Sequence, residues 1–286
     1  MSDRVTEYYD NLDEWQRLDT PAGQIEFERT LKFVSDRLAS CSVVLDLGGG
    51  PGRYALALAA SGHRVSLVDP SSVQIEAARE RAASSELLTR IPTIEVASAQ
   101  NLSQFDESAF DSVLALGPFY HLPDSEARLQ AARELYRVTK AGGLVFVAFI
   151  PRLSGLAGLI ERAARDPAQV PTATLARARD SGAFINGTPR GFQDGYYPNT
   201  AELEALFSSV GFAKEDLLSI RSLWFGREIE ALELRQEAPD LAQAFDALCD
   251  DVARDRGVIA HCGHALLVLS KPTPDAAQQS AAADSA

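Results

Sequence analysis

Short runs rich in valine, leucine and isoleucine recur along the chain, and between them apolar residues fall three or four positions apart. The first pattern fits a buried strand, the second an amphipathic helix. A helix is predicted over residues 24–39, where Ile25, Leu31, Val34 and Leu38 keep near-helical spacing with Phe27 beside them. Strands follow at 42–47, 64–68, 93–96, 110–116 and 144–150, with helices between them at 53–60, 71–84 and 125–139. Gly62 and the pair Gly142 and Gly143 stand where helices should stop. Strands alternating with helices of roughly 10 to 15 residues predict an α/β fold, a doubly wound and mostly parallel sheet with right-handed crossovers.

The alternation breaks after Ile150. Residues 151–199 hold one short amphipathic stretch (Leu153, Leu156, Ile160) and then a run punctuated by prolines and glycines. A connection of that length inside a domain is typically a functional cap. The pattern resumes with a helix at 200–210, a strand at 216–223, a helical region around Pro239 and a last strand at 265–270. Residues 1–22 are polar but carry Tyr8, Tyr9 and Trp15, and read as a lid segment. The division expected is lid 1–22, main domain 23–271 with inserted cap 151–199, and a disordered tail 272–286 rich in Ala, Gln, Ser and Asp.

A chain of 286 residues with 46% hydrophobic content can bury a core without disulfides or metal staples. Its three cysteines, Cys41, Cys249 and Cys262, are far apart and odd in number, as expected of reduced, mostly buried thiols in a cytoplasmic protein. Six acidic residues against two arginines in the first 19 positions are the reverse of a secretory leader. No apolar run approaches the roughly 20 residues that span a bilayer, so no membrane partner is expected. The net charge of −13 argues against nucleic acid, which needs basic surface, and favours a small neutral or cationic ligand. A homodimer is compatible with the sequence.

The decisive segment runs from Val43 to Tyr54. A strand leads into Asp46-Leu47-Gly48-Gly49-Gly50-Pro51-Gly52 and directly into a helix. Glycines let the backbone take positive φ and let a ligand approach without a Cβ in the way. A dinucleotide loop would read G-x-G-x-x-G, which puts Arg53 where the third glycine belongs. The spacing here is D-x-G-x-G-x-G. It resembles the first motif of class I S-adenosylmethionine-dependent methyltransferases, of the small-molecule type. That resemblance implies a seven-stranded Rossmann-like sheet and S-adenosyl-L-methionine as cofactor. The loop, with Gly48, Gly50 and Gly52, would pack against the methionine part, and Asp46 would lie near its ammonium group.

The resemblance extends along residues 24–150. Asp69 ends the second strand, 17 residues after Gly52, where a carboxylate can accept hydrogen bonds from ribose hydroxyls, with Pro70 beside it. An N-cap for the following helix is the other use of that position, one that Ser71 can also serve. After the third strand, Ser98 stands where the family commonly has an acid. The adenine contact is therefore assigned to Ala99 and Gln100. The segment Leu116-Gly117-Pro118-Phe119-Tyr120-His121 resembles the loop after strand four that faces the methyl group, and it lacks the N/D-P-P-Y/F sequence of amino-group methylases.

A sulfonium methyl is already activated, so alignment supplies much of the catalysis. A general base is needed when the acceptor arrives protonated, and histidine is the first candidate. His63 reads as a surface residue, and His261 and His264 flank Cys262 without a second ligand cluster, so no metal is expected. His121 is the catalytic candidate, with a structural hydrogen bond as its alternative. Tyr9, Tyr120 and Tyr197 are the acceptor-site candidates, with Phe192 and Tyr196 near them; Arg152 and Arg190 could meet an anionic group. Arg29 could reach the methionine carboxylate or face solvent. The function expected is methyl transfer to an O, N or C atom of a secondary metabolite or quinone-like small molecule. A tRNA- or protein-modifying methylase and a non-catalytic cofactor-binding protein are the alternatives.

Overall fold

In β1 (Val43–Leu47), Val44 packs into one face of the central sheet while Leu45 and Leu47 pack into the other. With both faces buried, the strand needs apolar residues at nearly every position, which is why it reads as an apolar run broken only by Asp46. The structure, a computed structural model, describes residues 3–188 and 190–274. Residues 275–286, most of the expected tail, lie outside the described residues.

In chain order come α1 (Asp3–Asp10), α2 (Glu14–Arg17), α3 (Pro21–Ser35), β1, α4 (Arg53–Ala60), β2 (Arg64–Asp69), α5 (Ser72–Ser84), β3 (Thr93–Val96), β4 (Phe110–Ala115), α6 (Ser125–Val138) and β5 (Thr139–Phe149). Then follow α7 (Arg152–Arg165), α8 (Thr172–Ser181), β6 (Ala183–Phe184), β7 (Gly195–Tyr196), α9 (Thr200–Ser209), β8 (Ala213–Ser219), α10 (Glu228–Glu237), α11 (Pro239–Asp251), α12 (Arg256–Ala260) and β9 (Ala265–Ser270). The seven-stranded sheet has the order β3-β2-β1-β4-β5-β9-β8, and β9 runs antiparallel to both neighbours. Chain order reverses between β1 and β4, so a crevice opens at their carboxyl ends. One core packs α6 and α9 against the sheet, the other α3, α4 and α5.

Several expected boundaries move for local reasons. α3 begins at Pro21 because the Thr20 hydroxyl caps Gly23 N–H at 3.1 Å and proline suits the first helical position. Gly142 and Gly143 do not end a helix; they lie inside β5, where Gly142 takes φ +77° and a Cβ on Gly143 would sit 2.9 Å from Asp111 O. The strand expected at 216–223 is β8, ending at Ser219, and the helical region near Pro239 is two helices, α10 and α11. His63 is buried, not on the surface. Arg29 is buried too, where it donates to Ile220 O at 2.5 Å and pairs with Asp250. Cys41 is exposed, whereas Cys249 and Cys262 are buried.

Residues 151–199 contain two helices and the β6–β7 ribbon, with a small core of Leu159, Val170, Ala178, Phe184 and Tyr197. α1 bridges this cap and the main domain. The Arg4 guanidinium donates to Asn186 O, Thr188 O and Gln193 Oε1 on the cap side. On the other side, Gln74 Nε2 donates to Tyr9 O at 2.6 Å and Leu12 O at 3.1 Å. Among the described residues no helix is long and apolar enough to cross a membrane.

Candidate active site

The turn after β1 is shaped by its glycines. Gly50 sits at φ +53°, and a Cβ built there meets no atom within 4 Å. Its open side belongs to a cavity at the carboxyl ends of β1, β2 and β4. Gly52 is different: it caps α4 at φ +90°, a Cβ there would meet Leu67 at 3.3 Å, and it does not line the cavity. It serves the turn and the helix–strand packing, which corrects its assignment as a ligand contact.

Asp46, Gly48 and Gly50 line one end of the cavity, and Asp69 and Pro70 line the side formed by β2. Ala99 and Gln100, with Ser98, line the β3 side. Leu116, Tyr120 and His121 line the wall after β4, and Tyr9 reaches in from α1. Tyr197 does not reach it. Its ring is buried in the cap's own core, lying so close to Gly155 that a Cβ there would be 2.3 Å away. It is a packing residue, and Phe192 stands nearer the site, 4.9 Å from the His121 ring. Tyr196 donates to Glu202 and lies under Arg128; Arg152 is tied to Glu202, and Arg190 to Asp166. Neither arginine lines the cavity.

Burial dominates the electrostatics. Asp46 is 1% exposed, and desolvation raises its pKa to about 7, against a backbone hydrogen bond from Ala55 that lowers it. Its Oδ2 has no hydrogen-bond partner within the protein. A buried, unpartnered carboxylate oxygen is costly unless something pairs with it. Burial likewise lifts Asp69 to about 6, although Ser71 N–H and Gly50 N–H donate to it.

On the wall after β4, Tyr9 Oη lies 2.7 Å from His121 Nε2, and His121 Nδ1 lies 3.4 Å from Asp194 O. A carbonyl only accepts, so Nδ1 carries the ring proton and Nε2 is the acceptor for the Tyr9 hydroxyl. Burial lowers His121 to about 4 and pushes Tyr9 well above 10, so a neutral imidazole faces a neutral phenol.

Sequence reasoning missed a polar floor. Arg17 lines the cavity and holds Glu14 at 2.6 Å and Glu26 at 3.1 Å, and Glu26 in turn lies 2.9 Å from His264 Nδ1. Glu26 is held well below the usual carboxylate range despite its burial, because His264 and Arg17 flank it. Nothing in the local sequence around Arg17 marks this role, because its partner Glu26 sits across a helix boundary.

A seven-stranded sheet with β9 reversed, a glycine loop after β1 and an acid ending β2 define the class I methyltransferase architecture. Residues 44–143 match the family described as "Methyltransferase domain". With that match and this fold, residues 44–143 form a methyltransferase domain of the class I, S-adenosylmethionine-dependent kind. Over 111 residues it is 36% identical to a ubiquinone biosynthesis O-methyltransferase from Methylocella silvestris, covering 38% of this chain and 40% of that protein. A crystal structure of a SAM-dependent methyltransferase from Methanosarcina mazei superposes with TM-score 0.57 at 19% identity, over 84% of this chain and 97% of that one. The Burkholderia thailandensis 1,6-didemethyltoxoflavin-N1-methyltransferase, solved with its acceptor and S-adenosylhomocysteine, gives TM-score 0.55 at 16% identity over 95% and 86% of the two chains. At these identities the structural likenesses establish the fold.

Proposed function

We propose that the protein transfers a methyl group from S-adenosyl-L-methionine to an oxygen, nitrogen or carbon atom of a small molecule, of the secondary-metabolite or quinone-like class. The observation that carries this is the buried Asp46 carboxylate, whose Oδ2 lacks a partner and which lines the same cavity as the open face of Gly50. The ammonium group of the methionine part supplies the missing partner. Asp69 is positioned for the ribose hydroxyls, and the stretch at Ala99 and Gln100 for the adenine. Bound there, the sulfonium supplies an activated methyl group.

The chain's own residues then align and deprotonate the acceptor. His121, neutral and buried, presents Nε2 as a proton acceptor on the wall after β4. α1 and the cap cover this end of the site, which suits a small molecule better than RNA or a protein. The names of the Methylocella and Burkholderia proteins likewise specify small-molecule methylation.

Calorimetry with S-adenosylhomocysteine tests the reading. The wild type is expected to bind, and Gly50→Val to remain folded without binding, because its side chain fills ligand space. Backbone strain of about 1–3 kcal/mol at a positive φ should show as a modest fall in Tm. No binding by the wild type, or unchanged affinity in folded Gly50→Val, would remove the cofactor assignment. Methyl release over a panel of acceptors then separates an enzyme from a binding protein.

A further inference from the structure

We infer that the acceptor is a planar hydroxyaromatic molecule of the phenol class, and that Tyr9 occupies its seat, the Tyr9 hydroxyl holding at His121 Nε2 the place of the acceptor's hydroxyl. The inference rests on the methyltransferase reading and adds to it the substrate class and a specificity residue.

The geometry is that of a phenol bound to a base. His121 Nε2 can only accept, because Nδ1–H is committed to Asp194 O, and the Tyr9 O–H meets it at 2.7 Å. Aromatic faces and edges surround the imidazole. Tyr9 stands at 5.2 Å and 87° to it, Tyr120 at 4.7 Å and 59°, and Phe192 at 4.9 Å and 34°. Such a cage accepts flat rings by offset or edge contacts.

Charge narrows the choice. The arginines that line the cavity are already paired, Arg17 with Glu14 and Glu26, and Arg53 with Asp19. An acceptor recognised through a carboxylate or phosphate would have to break one of these pairs. A neutral hydroxyl needs only Nε2.

Tyr9 is also placed to leave. It rides on the eight-residue α1, which polar latches at Gln74, Ser71 and the cap, together with the single buried apolar side chain of Val5, hold to the body. These bonds can exchange with water as α1 moves, whereas His121 is fixed on the wall of the main core. When an acceptor phenol replaces Tyr9, its O–H bond breaks and the proton goes to Nε2. The oxygen forms the new bond to the methyl carbon, and the carbon–sulfur electron pair returns to sulfur, leaving S-adenosylhomocysteine.

Binding of 2-naphthol and of its methyl ether, 2-methoxynaphthalene, to the S-adenosylhomocysteine-saturated protein tests this. Tyr9→Phe removes the competing hydroxyl and is expected to tighten 2-naphthol about two- to tenfold, the worth of one neutral hydrogen bond, with little change for the ether. Tyr9→Ala empties the ring seat as well and should bind 2-naphthol more tightly still. The preference for the hydroxyl should vanish in Tyr9→Phe/His121→Ala. Equal affinity of Tyr9→Phe for the two probes, or 2-naphthol binding no tighter than in the wild type, overturns the proposal. If Tyr9→Ala unfolds, Tyr9→Phe alone decides. Absence of S-adenosylhomocysteine binding by the wild type would instead overturn the methyltransferase reading, so the two failures are distinct.

Discussion

Gly50 N–H donates to Asp69 Oδ2 at 3.0 Å, joining the glycine loop after β1 to the end of β2. The other carboxylate oxygen accepts from Ser71 N–H at 2.9 Å. Capping of α5 falls to Ser71, whose hydroxyl accepts from Gln74 N–H at 3.1 Å. Of the two uses the sequence left open for Asp69, the N-cap is therefore taken by Ser71 instead. Asp69→Ala is expected to weaken S-adenosylhomocysteine binding by about 1.5–3 kcal/mol, as for hydrogen bonds to a charged group. Ser71→Ala is expected to cost about 0.5–2 kcal/mol of stability through the lost cap. Calorimetry and denaturant melts on both variants check the assignment, and an Asp69→Ala protein with wild-type affinity would contradict it.

Asp46 should make cofactor binding pH-linked. With a folded pKa near 7 against an ordinary value of 3.8, its carboxyl is largely protonated at pH 6.5 in the ligand-free protein. An ammonium group beside it favours the carboxylate, so binding is expected to release about half a proton or more at pH 6.5 and almost none at pH 8.5. The sign for stability is fixed by the same shift. Its contribution is fully present below about pH 4 and is lost as pH rises through 7, because the fold disfavours the charged form. Calorimetry in buffers of different ionisation heat measures the release, and Asp46→Asn should abolish it. A wild type that releases no proton at pH 6.5 would place the ammonium elsewhere.

The parts that were readable in the sequence are those set by local chemistry. β1, β2, β4 and β9 are largely apolar runs because both faces of the sheet are buried, and the glycine loop is readable because positive φ at Gly48, Gly50 and Gly52 demands glycine at that spacing. What stayed hidden depends on distant partners. Tyr9 and His121 are 112 positions apart, and neither neighbourhood signals the other. α8 reads as loop because it offers one large apolar residue, the exposed Leu175, and a single buried position at Ala178. Tyr197 looked like a pocket residue because aromatic content alone does not reveal whether a cap has its own core.

The expected lid divides in two. Residues 3–12 carry Tyr9 and touch the site, whereas Leu18 is buried in the main core and the Arg53 guanidinium lies 4.6 Å over the Trp15 ring. Arg17 also pairs with buried Glu26. Deleting residues 1–12, which removes the buried Val5 but not Leu18 or Arg17, is therefore expected to impair S-adenosylhomocysteine binding with a smaller fall in Tm than the longer deletion. Deleting 1–22 should destabilise the protein by several kcal/mol, since it removes the buried Leu18 and strands Glu26 without its arginine. Thermal melts and S-adenosylhomocysteine titrations of both truncations distinguish the two halves. Equal destabilisation by both deletions would make α1 ordinary packing.

His121 as general base predicts an unusual acid limb. The reactive form is the neutral imidazole, and burial holds its pKa near 4 rather than at histidine's ordinary 6.5. Single-turnover methyl transfer to a protonated acceptor should therefore stay flat from neutral pH down to about pH 5 and fall below it as the ring takes a proton. An enzyme using an ordinary exposed histidine would begin to lose rate two units higher. His121→Asn keeps a side chain able to hydrogen-bond to Tyr9 or the acceptor but cannot take the proton. It is expected to lose roughly 10²–10⁴ in rate together with the acid limb. Cofactor affinity, read separately by calorimetry, should stay near wild type because His121 is not among the residues assigned to the cofactor. A His121→Asn rate within a few-fold of wild type, with the same pH profile, would assign the ring to holding Tyr9 and the cap in place.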